Sequence, residues 1–571
     1  MRDTLVHRGP DGFGSWFSTD KKIALGHRRL SFLDLTESGK QPMCNEDGTL
    51  WLTFNGEIYN YVELKRELEL SGHQFKSTTD SEVIIHGFEQ WGKEVLNKLK
   101  GMFAFGLWNE KEKKLFIARD RFGIKPLYYY QNNQSFIFSS ELKGIVANPE
   151  VEREMDYSSI SDYLTYRYVP SPKTIWKNIK KLPAANYLEL DLSGNSSVSE
   201  YWKIEYGSRL MKDSDVIERV DELLMNSVAT HIRSDVPVGS FLSGGYDSSA
   251  LVYYLSRINY KPQTFSIGFE GWQQSEHLYA EMVSEKFGTK HTSTIVGTES
   301  FDVLEKLAEV YDEPLADISI IPTYLVSKTA SQNVKAVFSG EGADELFCGY
   351  SWHYALSNTN PFVSKLLRLK SYFTSPENNY FIGQYAQAMA MGRFKHDNIA
   401  TILNPDLRAS IPHYSDWFYA NNYKKNMSTI KAFQNMDIKC FMGELVLTKI
   451  DRASMANSLE VRVPFLDHEL YEFILSLDDS VYFKPGEKKF LLRENIKNHL
   501  PQKIMNRQKQ GFVGPDSYYM NIEKYASLLR HGRLVKDQVI QKDELERMIL
   551  QKDHWRLWKI TVLELWYSRW N

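Results

Sequence analysis

The stretch Leu242 to Arg257, LSGGYDSSALVYYLSR, sets two glycines and three serines around one aspartate, where a short apolar run gives way to a helical pattern. A strand that ends in Ser-Gly-Gly and opens a helix gathers backbone N–H groups and the positive end of a helix dipole at one point, and such a point binds anions. Gly244 and Gly245 permit close backbone approach, and Ser243, Ser248 and Ser249 add hydroxyl donors. Asp247 does not suit a bare phosphate cup, because it repels phosphate. It suits a cup in which a divalent cation bridges the acid and the phosphate oxygens. By composition alone the same residues also read as an ordinary serine-capped turn. They are not a Walker loop, which requires a lysine followed by Ser or Thr after its second glycine. The nearest match, GFEQWGKE at 87–94, ends in Glu94 and reads as a helix stop.

A second acidic, glycine-rich turn, FSGEGADELFCGY, spans 338–350 and also follows an apolar strand. Two such turns at the C-terminal ends of parallel strands face one crevice, where open α/β sheets bind ligands. Asp344 can then join Asp247 on the cation. In GEKKFLLREN, residues 486–495, Lys488 and Lys489 stand before a helical pattern where either could neutralise a leaving phosphate, or where both form a solvated charge run.

These residues need elements to position them. Residues 1 to about 188 read mainly as short strands rich in β-branched and aromatic residues, among them LWLTFNGEIYNY, MFAFGLWN and KLFIARD, with helices that stop at Gly72 and Gly92. That pattern predicts an α+β domain of antiparallel sheets with helices packed on them. Small polar residues in ELDLSGNSSVSEYW place a linker over 189–206. Residues 207–571 follow as a second domain. In it VPVGSFLS, QTFSIGF, HTSTIV and VKAVF alternate with helical patterns, which predicts a parallel sheet of βαβ units, and from about 355 the pattern is mostly helical. The closing HWRLWKITVLELWYSRW carries its aromatics at helical spacing and reads as a core-packing helix.

Composition sets the outer limits. A chain of 571 residues exceeds one hydrophobic core, and 42% hydrophobic with 25% charged residues is ordinary globular usage. A formal net charge of -3 argues against a general nucleic-acid binder. Three cysteines, Cys44, Cys348 and Cys440, make no disulfide framework and suit a reducing cytoplasm. No apolar run of membrane-spanning length and no signal-peptide pattern stand out, so a cytoplasmic protein without membrane partners is expected.

Together these motifs resemble a known family. SGGYDSS resembles the pyrophosphate loop of N-type ATP pyrophosphatases. YDEPLADISIIPTYLVSK, SGEGADELFCGY, LTKIDRASMANSLEVRVPFLDHEL and NRQKQGF resemble the synthetase domain of glutamine-hydrolysing asparagine synthetases of the B type. HRGPDG, LGHRRLSFLDL, FNGEIYNY, DSEV, GMFAFGLW and ARDRFGIKPLYY resemble that family's class II glutaminase domain. The similarity runs almost end to end.

The resemblance implies an N-terminal Ntn-type glutaminase sandwich, here lacking its first strand, followed by an α/β parallel-sheet ATP pyrophosphatase domain with a helical C-terminal part. It implies aspartate, ATP and ammonia or glutamine as small-molecule substrates, Mg2+ as the metal, and a homodimer. Aspartate's side-chain carboxylate attacks the α-phosphate of ATP to give an acyl-adenylate and pyrophosphate, and ammonia then displaces AMP. By motif, Leu242, Ser243, Gly244, Gly245, Asp247, Ser248, Ser249, Ile267, Ser339 and Gly340 would bind ATP, and Asp247 and Asp344 would hold Mg2+. Lys489 would meet phosphate, and Glu341 would take the surplus proton of ammonia. Arg29, Asn55, Gly56, Glu57 and Asp80 would bind glutamine, with Asn55 and Gly56 forming an oxyanion hole.

The chain departs from the family in places. The family's nucleophile is an N-terminal cysteine, and Met1 aligns just before HRGPDG, beyond it. Cys44 lacks a free α-amine and reads as a bystander. The expectation for the chain as written is ammonia-dependent synthesis without glutaminase activity. A start lying upstream, a truncated gene and a retained scaffold are the three readings of that departure. Tyr246, Ala343 and Cys348 replace common residues, LPAAN stands in place of a Pro-Gly, and none of these removes a catalytic charge. Two alternatives stand beside asparagine synthesis: the same chemistry on another carboxylate such as a sugar uronate, and a non-catalytic paralogue.

Overall fold

The computed structural model describes residues 1–571 except 273–274, 298–302, 358–369, 371–373, 508–513 and 515–521. The first half opens with a hairpin of β1 (Gly12–Phe17) and β2 (Ala24–Arg29). After it come β3 (Met43–Cys44), β4 (Leu50–Ile58), β5 (Gly101–Asn109) and β6 (Lys114–Arg119), which pair antiparallel in that order. β7 (Tyr128–Gln131), β8 (Phe136–Ser139) and β9 (Ile179–Lys181) make a separate three-stranded antiparallel sheet. β10 (Asn186–Asp191) and β11 (Ser196–Glu200) then return to the edge of β6 and complete a six-stranded sheet.

The pleat of β5 explains its almost continuous apolar run. Phe103, Phe105 and Leu107 pack with Val83, Ile84 and Ile85 of helix Glu82–Trp91 and with Leu64 and Leu68 of helix Tyr61–Leu70. Ala104 and Trp108 point to the opposite face, against Leu25, Leu127 and Tyr129. A strand covered on both faces has no reason to alternate with polar residues.

The expected linker is different in the structure. Residues 189–206 hold the end of β10 and all of β11, paired from Asn186 opposite Glu200 to Leu190 opposite Ser196. The polar residues that read as a linker are the turn and outer face of an edge hairpin: Ser196, Ser197 and Val198 are exposed.

The second half is built on a five-stranded sheet of β12 (Val238–Phe241), β13 (Gln263–Phe269), β14 (Lys290–Val296), β15 (Ala336–Phe338) and β16 (Glu460–Arg462). The spatial order is β14-β13-β12-β15-β16, and every pairing is parallel. The strand order therefore reverses between β12 and β15, which opens a crevice beyond their carboxyl ends. β16 sits within the region read as helical. Three residues are too few to show a strand period, so only pairing with β15 reveals it. The terminal helix His554–Trp570 is core, as its aromatics indicated: Trp558 and Trp566 are buried, and Trp566 lies 5.7 Å from Trp176 between ring centroids. Among the described residues no helix is long and apolar enough to cross a membrane.

Candidate active site

The glycine loop lies directly after β12, and helix Tyr246–Arg257 starts from its end. Leu242 N–H donates to Phe265 O of β13 at 2.8 Å, which seats the loop on the sheet's carboxyl edge. Phe241 pairs with Phe265, so Ile267, two residues further along β13, stands level with the loop. Gly244 has a φ of 69°, and a Cβ there would come within 2.4 Å of Tyr279 Cβ, so both conformation and space require glycine. Ser248 Oγ accepts from Ser243 N–H at 3.1 Å and lies 3.1 Å from Ser243 Oγ, closing the loop on its own helix. Ser249 Oγ is buried without a hydrogen-bond partner among the described residues.

The second turn follows β15 on the other side of the crevice. Ser339 N–H donates to Arg462 O of β16 at 2.9 Å, and Ser339 Oγ donates to the Glu341 carboxylate. Gly340 packs so tightly that a Cβ would meet Asp247 Cβ at 2.9 Å and Ser248 N at 3.3 Å. The two turns therefore approach each other closely at backbone and Cβ atoms.

Lys489 joins them. Its Nζ lies 2.5 Å from each Asp247 oxygen and 2.8 Å from Asp344 Oδ1. Burial alone would lower the lysine's pKa, but Asp247 and Asp344 outweigh it and hold the ammonium charged above its usual range. The residue occupies the left-handed region, φ 53° and ψ 43°, at the start of helix Phe490–Ile496. Neighbouring Lys488 is exposed, which separates two lysines that the sequence left equivalent. Two carboxylates converging on one cation, with hydroxyl and helix N–H donors alongside, are groups of the kind that can receive a polyanion and a hard metal ion.

In the first half, Arg29, Asn55, Gly56, Glu57 and Asp80 all line one cavity of about 820 Å³. Asp80 accepts from Ile58 N–H at 2.7 Å, and burial pushes its carboxyl up to about 7. Burial and the adjacent Asp80 push Glu57 well above the usual carboxylate range, with Arg462 opposing. Asn55 Nδ2 donates to Ser140 Oγ at 3.3 Å. The Arg29 guanidinium donates to Thr36 O at 2.8 Å and Leu33 O at 3.1 Å and also to Asp34 O, so it braces the loop at the rim. No cysteine lines the cavity among the described residues. Cys44 lies in β3, and burial raises its thiol, away from a reactive thiolate.

Arg462 is the residue that motif reading passed over. It is 0% exposed on β16, with Nη2 3.1 Å from Glu57 Oε2 and Nε donating to Glu460 Oε1 at 3.0 Å. Its own carbonyl holds Ser339. One residue, through its side chain and its carbonyl, therefore links the cavity of the first half to the turn of the second. The signal was an arginine inside the apolar run VRVPF, since a buried arginine needs partners. Glu460 and Met455 also line the cavity's wall, from the second half of the chain. The NRQKQGF motif lies mostly outside the described residues. Its Arg507 is described, donating to Glu276 Oε1 at 2.8 Å and to Ser243 O at 3.2 Å.

Two family models match the chain, over different residues. A family model described as asparagine synthase matches residues 219–568, and one described as glutamine amidotransferase domain matches residues 1–202. The chain is 33% identical over 604 residues to asparagine synthetase (glutamine-hydrolyzing) 1 of Bacillus subtilis strain 168, covering 100% of this chain and 93% of that protein. It is 32% identical over 564 residues to asparagine synthetase (glutamine-hydrolyzing) 3 of the same organism, covering 95% and 87%. Among solved structures, glutamine phosphoribosylpyrophosphate amidotransferase from B. subtilis aligns at 16% identity and a TM-score of 0.27 over 51% of this chain and 61% of that one, too weak a likeness to bear on the fold.

Proposed function

Because the chain belongs to the asparagine synthase family of carbon–nitrogen ligases, we propose that it makes asparagine from aspartate, ATP and ammonia through an acyl-adenylate. The observation that supports this most is the convergence of Asp247 and Asp344 on Lys489 at the point where the strand order reverses. Leu242 to Ser249, Ile267, Ser339 and Gly340 cradle the nucleotide. Aspartate's carboxylate oxygen bonds to the α-phosphorus as the bond to the bridging oxygen breaks, and pyrophosphate leaves with its charge spread towards the loop N–H groups, Ser243, Ser248 and Lys489. Ammonia then attacks the activated carbonyl, the C–O bond to AMP breaks, and Glu341 takes the surplus proton.

Two carboxylates aimed at one ammonium are the donor set that Mg2+ prefers, and Asp247 and Asp344 would hold it. When bound, the ion neutralises phosphate oxygens. In this reading Lys489 keeps the two acids in register for the metal.

The first half we read as a class II glutaminase-type domain of Ntn architecture and the second as an N-type ATP pyrophosphatase, divided beyond Glu200, where β11 ends. Arg29, Asn55, Gly56, Glu57 and Asp80 would receive glutamine. Cys44 is not its nucleophile.

The test is isotope exchange between pyrophosphate and ATP. It should depend on aspartate, stay at background with uronate sugars, and disappear in Asp247→Ala. Exchange that survives Asp247→Ala would show that adenylation happens elsewhere. Exchange stimulated by another acid instead of aspartate would reassign the acceptor.

A further inference from the structure

A corner of the first half, outside the cavity lining, gathers four metal-ligating side chains. Glu46 stands in the turn between β3 and β4, His73 follows helix Tyr61–Leu70, and His86 and Glu89 lie one turn apart on helix Glu82–Trp91. Each offers one ligand atom, and the four atoms lie within 4.8 Å of one another. Among the described residues no other group of three or more such side chains is so close. His86 Nδ1 is 3.5 Å from Glu46 Oε2 and 4.0 Å from Glu89 Oε2, and His73 Nδ1 is 3.7 Å from Glu89 Oε2.

The rings are held in the orientation a metal needs. His86 Nε2 faces Glu82 Oε1 at 3.5 Å, and His73 Nε2 faces Gln90 Oε1 at 3.1 Å. With the ring protons on Nε2, these oxygens accept them and each Nδ1 turns a lone pair towards the carboxylates, the tautomer a metal ligand needs. In that tautomer the space between the two Nδ1 atoms and the carboxylates suits a cation. His86 is 1% exposed, and its Nδ1 has no hydrogen-bond partner among the described residues. The carboxylates are anchored as well: Glu46 Oε1 accepts from Gln74 N–H at 2.9 Å and Glu89 Oε1 from Asn45 Nδ2 at 3.4 Å.

Metal–ligand bonds of about 2.0–2.1 Å give a tetrahedron with edges of about 3.3 Å. The separations of 3.5, 3.7 and 4.0 Å reach that with side-chain shifts alone. Two imidazoles with two carboxylates suit Zn2+ and its neighbours, whereas Mg2+ and Ca2+ take oxygen ligands.

We propose that Glu46, His73, His86 and Glu89 bind one divalent transition-metal ion of the zinc class. The ion clips the β3–β4 turn to helix Glu82–Trp91, directly after Asp80 and Ser81 of the cavity wall. Glu82, which orients His86, also accepts N–H bonds from Lys76 and Ser77 at 2.8 Å each, so the clip extends to the loop before the helix. The site stands on this geometry and not on the proposed reaction.

The experiment strips the full chain with a chelator, keeps excess Mg2+ present to fill oxygen sites, and titrates Zn2+, with Co2+ as a spectroscopic probe. One Zn2+ per chain, intense visible bands from tetrahedral Co2+ and a higher melting temperature are expected. His73→Ala and Glu89→Gln, at the half-buried and exposed rim, should each weaken Zn2+ binding at least about tenfold and leave aspartate-dependent exchange unchanged. If the double variant binds Zn2+ as the native chain does, or the native chain retains none, the cation between rings and carboxylates is a proton and the proposal falls.

Discussion

Lys489 is the residue that meets both acids. Its ammonium neutralises Asp247 and Asp344 from a left-handed backbone that costs about 1–2 kcal/mol. Lys489→Met should lower the rate of aspartate-dependent pyrophosphate exchange by about 100- to 1000-fold. Lys489→Arg should not restore it, because a planar fork cannot seat one nitrogen between the two acids. Near-native exchange in either variant would remove the lysine from the phosphate site. Asp80 makes a second prediction at this scale. Its carboxyl is pushed by burial to about 7, above the ordinary 3.8. The folded chain thus holds a proton that the unfolded chain has lost. That contribution is complete below about pH 4 and vanishes as pH rises through 7. Asp80→Asn keeps an acceptor for Ile58 N–H and carries no charge. It should flatten the fall in melting temperature between pH 4 and 7 and stabilise the protein at pH 8 by about 1–3 kcal/mol. A variant whose profile parallels the native one contradicts the assignment.

For the elements, the close approach of the two turns is what counts. Gly340 has room for hydrogen alone beside Asp247 and Ser248. Gly340→Ala forces the turns apart, should cost about 1–3 kcal/mol, and should reduce exchange even at temperatures where the variant stays fully folded. Exchange at native rates would mean that the turns can separate without harm. Gly349 is tighter still, since a Cβ there would fall 2.3 Å from Lys489 Cε and overlap Asp344. Both positions were readable as glycines, but the sequence did not say what each one approaches. Element identity was legible for β13, whose Gln263–Phe269 span coincides with QTFSIGF, because its burial is continuous. β11 and β16 were not legible. One is an exposed edge whose polar residues look like a linker, and the other is a three-residue strand defined by its neighbour.

Across the molecule the halves are joined by buried charge. Glu141 of the first half lies 2.8 Å from both Arg8 and Arg452 and 2.9 Å from Lys143, and Arg8 also pairs with Asp451 at 2.8 Å. Burial alone would raise Glu141, and Arg452, Lys143 and Arg8 pull it well below the usual carboxylate range. Removing one partner from such a network leaves uncompensated charge. Glu141→Ala should cost about 3–5 kcal/mol and split a joint calorimetric transition into two, one for each half. A single transition at the native temperature would show that the network does not couple them. Arg462 runs parallel to it, tying Glu57 to the strand that holds Ser339.

Local order alone determined much of this. An apolar run, a glycine-serine loop and a helical repeat are written in consecutive residues, so the two turns, their acids and the parallel-sheet class could be read directly from the chain. Only the tertiary structure decided which lysine meets the acids, where the sheet's fifth strand comes from, and that Arg462 bridges the two sites. It also decided that His73 and His86 turn their Nδ1 atoms towards Glu46 and Glu89. These facts depend on contacts between residues far apart in the chain, whose pairing is set by packing and charge in three dimensions and leaves no period in the sequence.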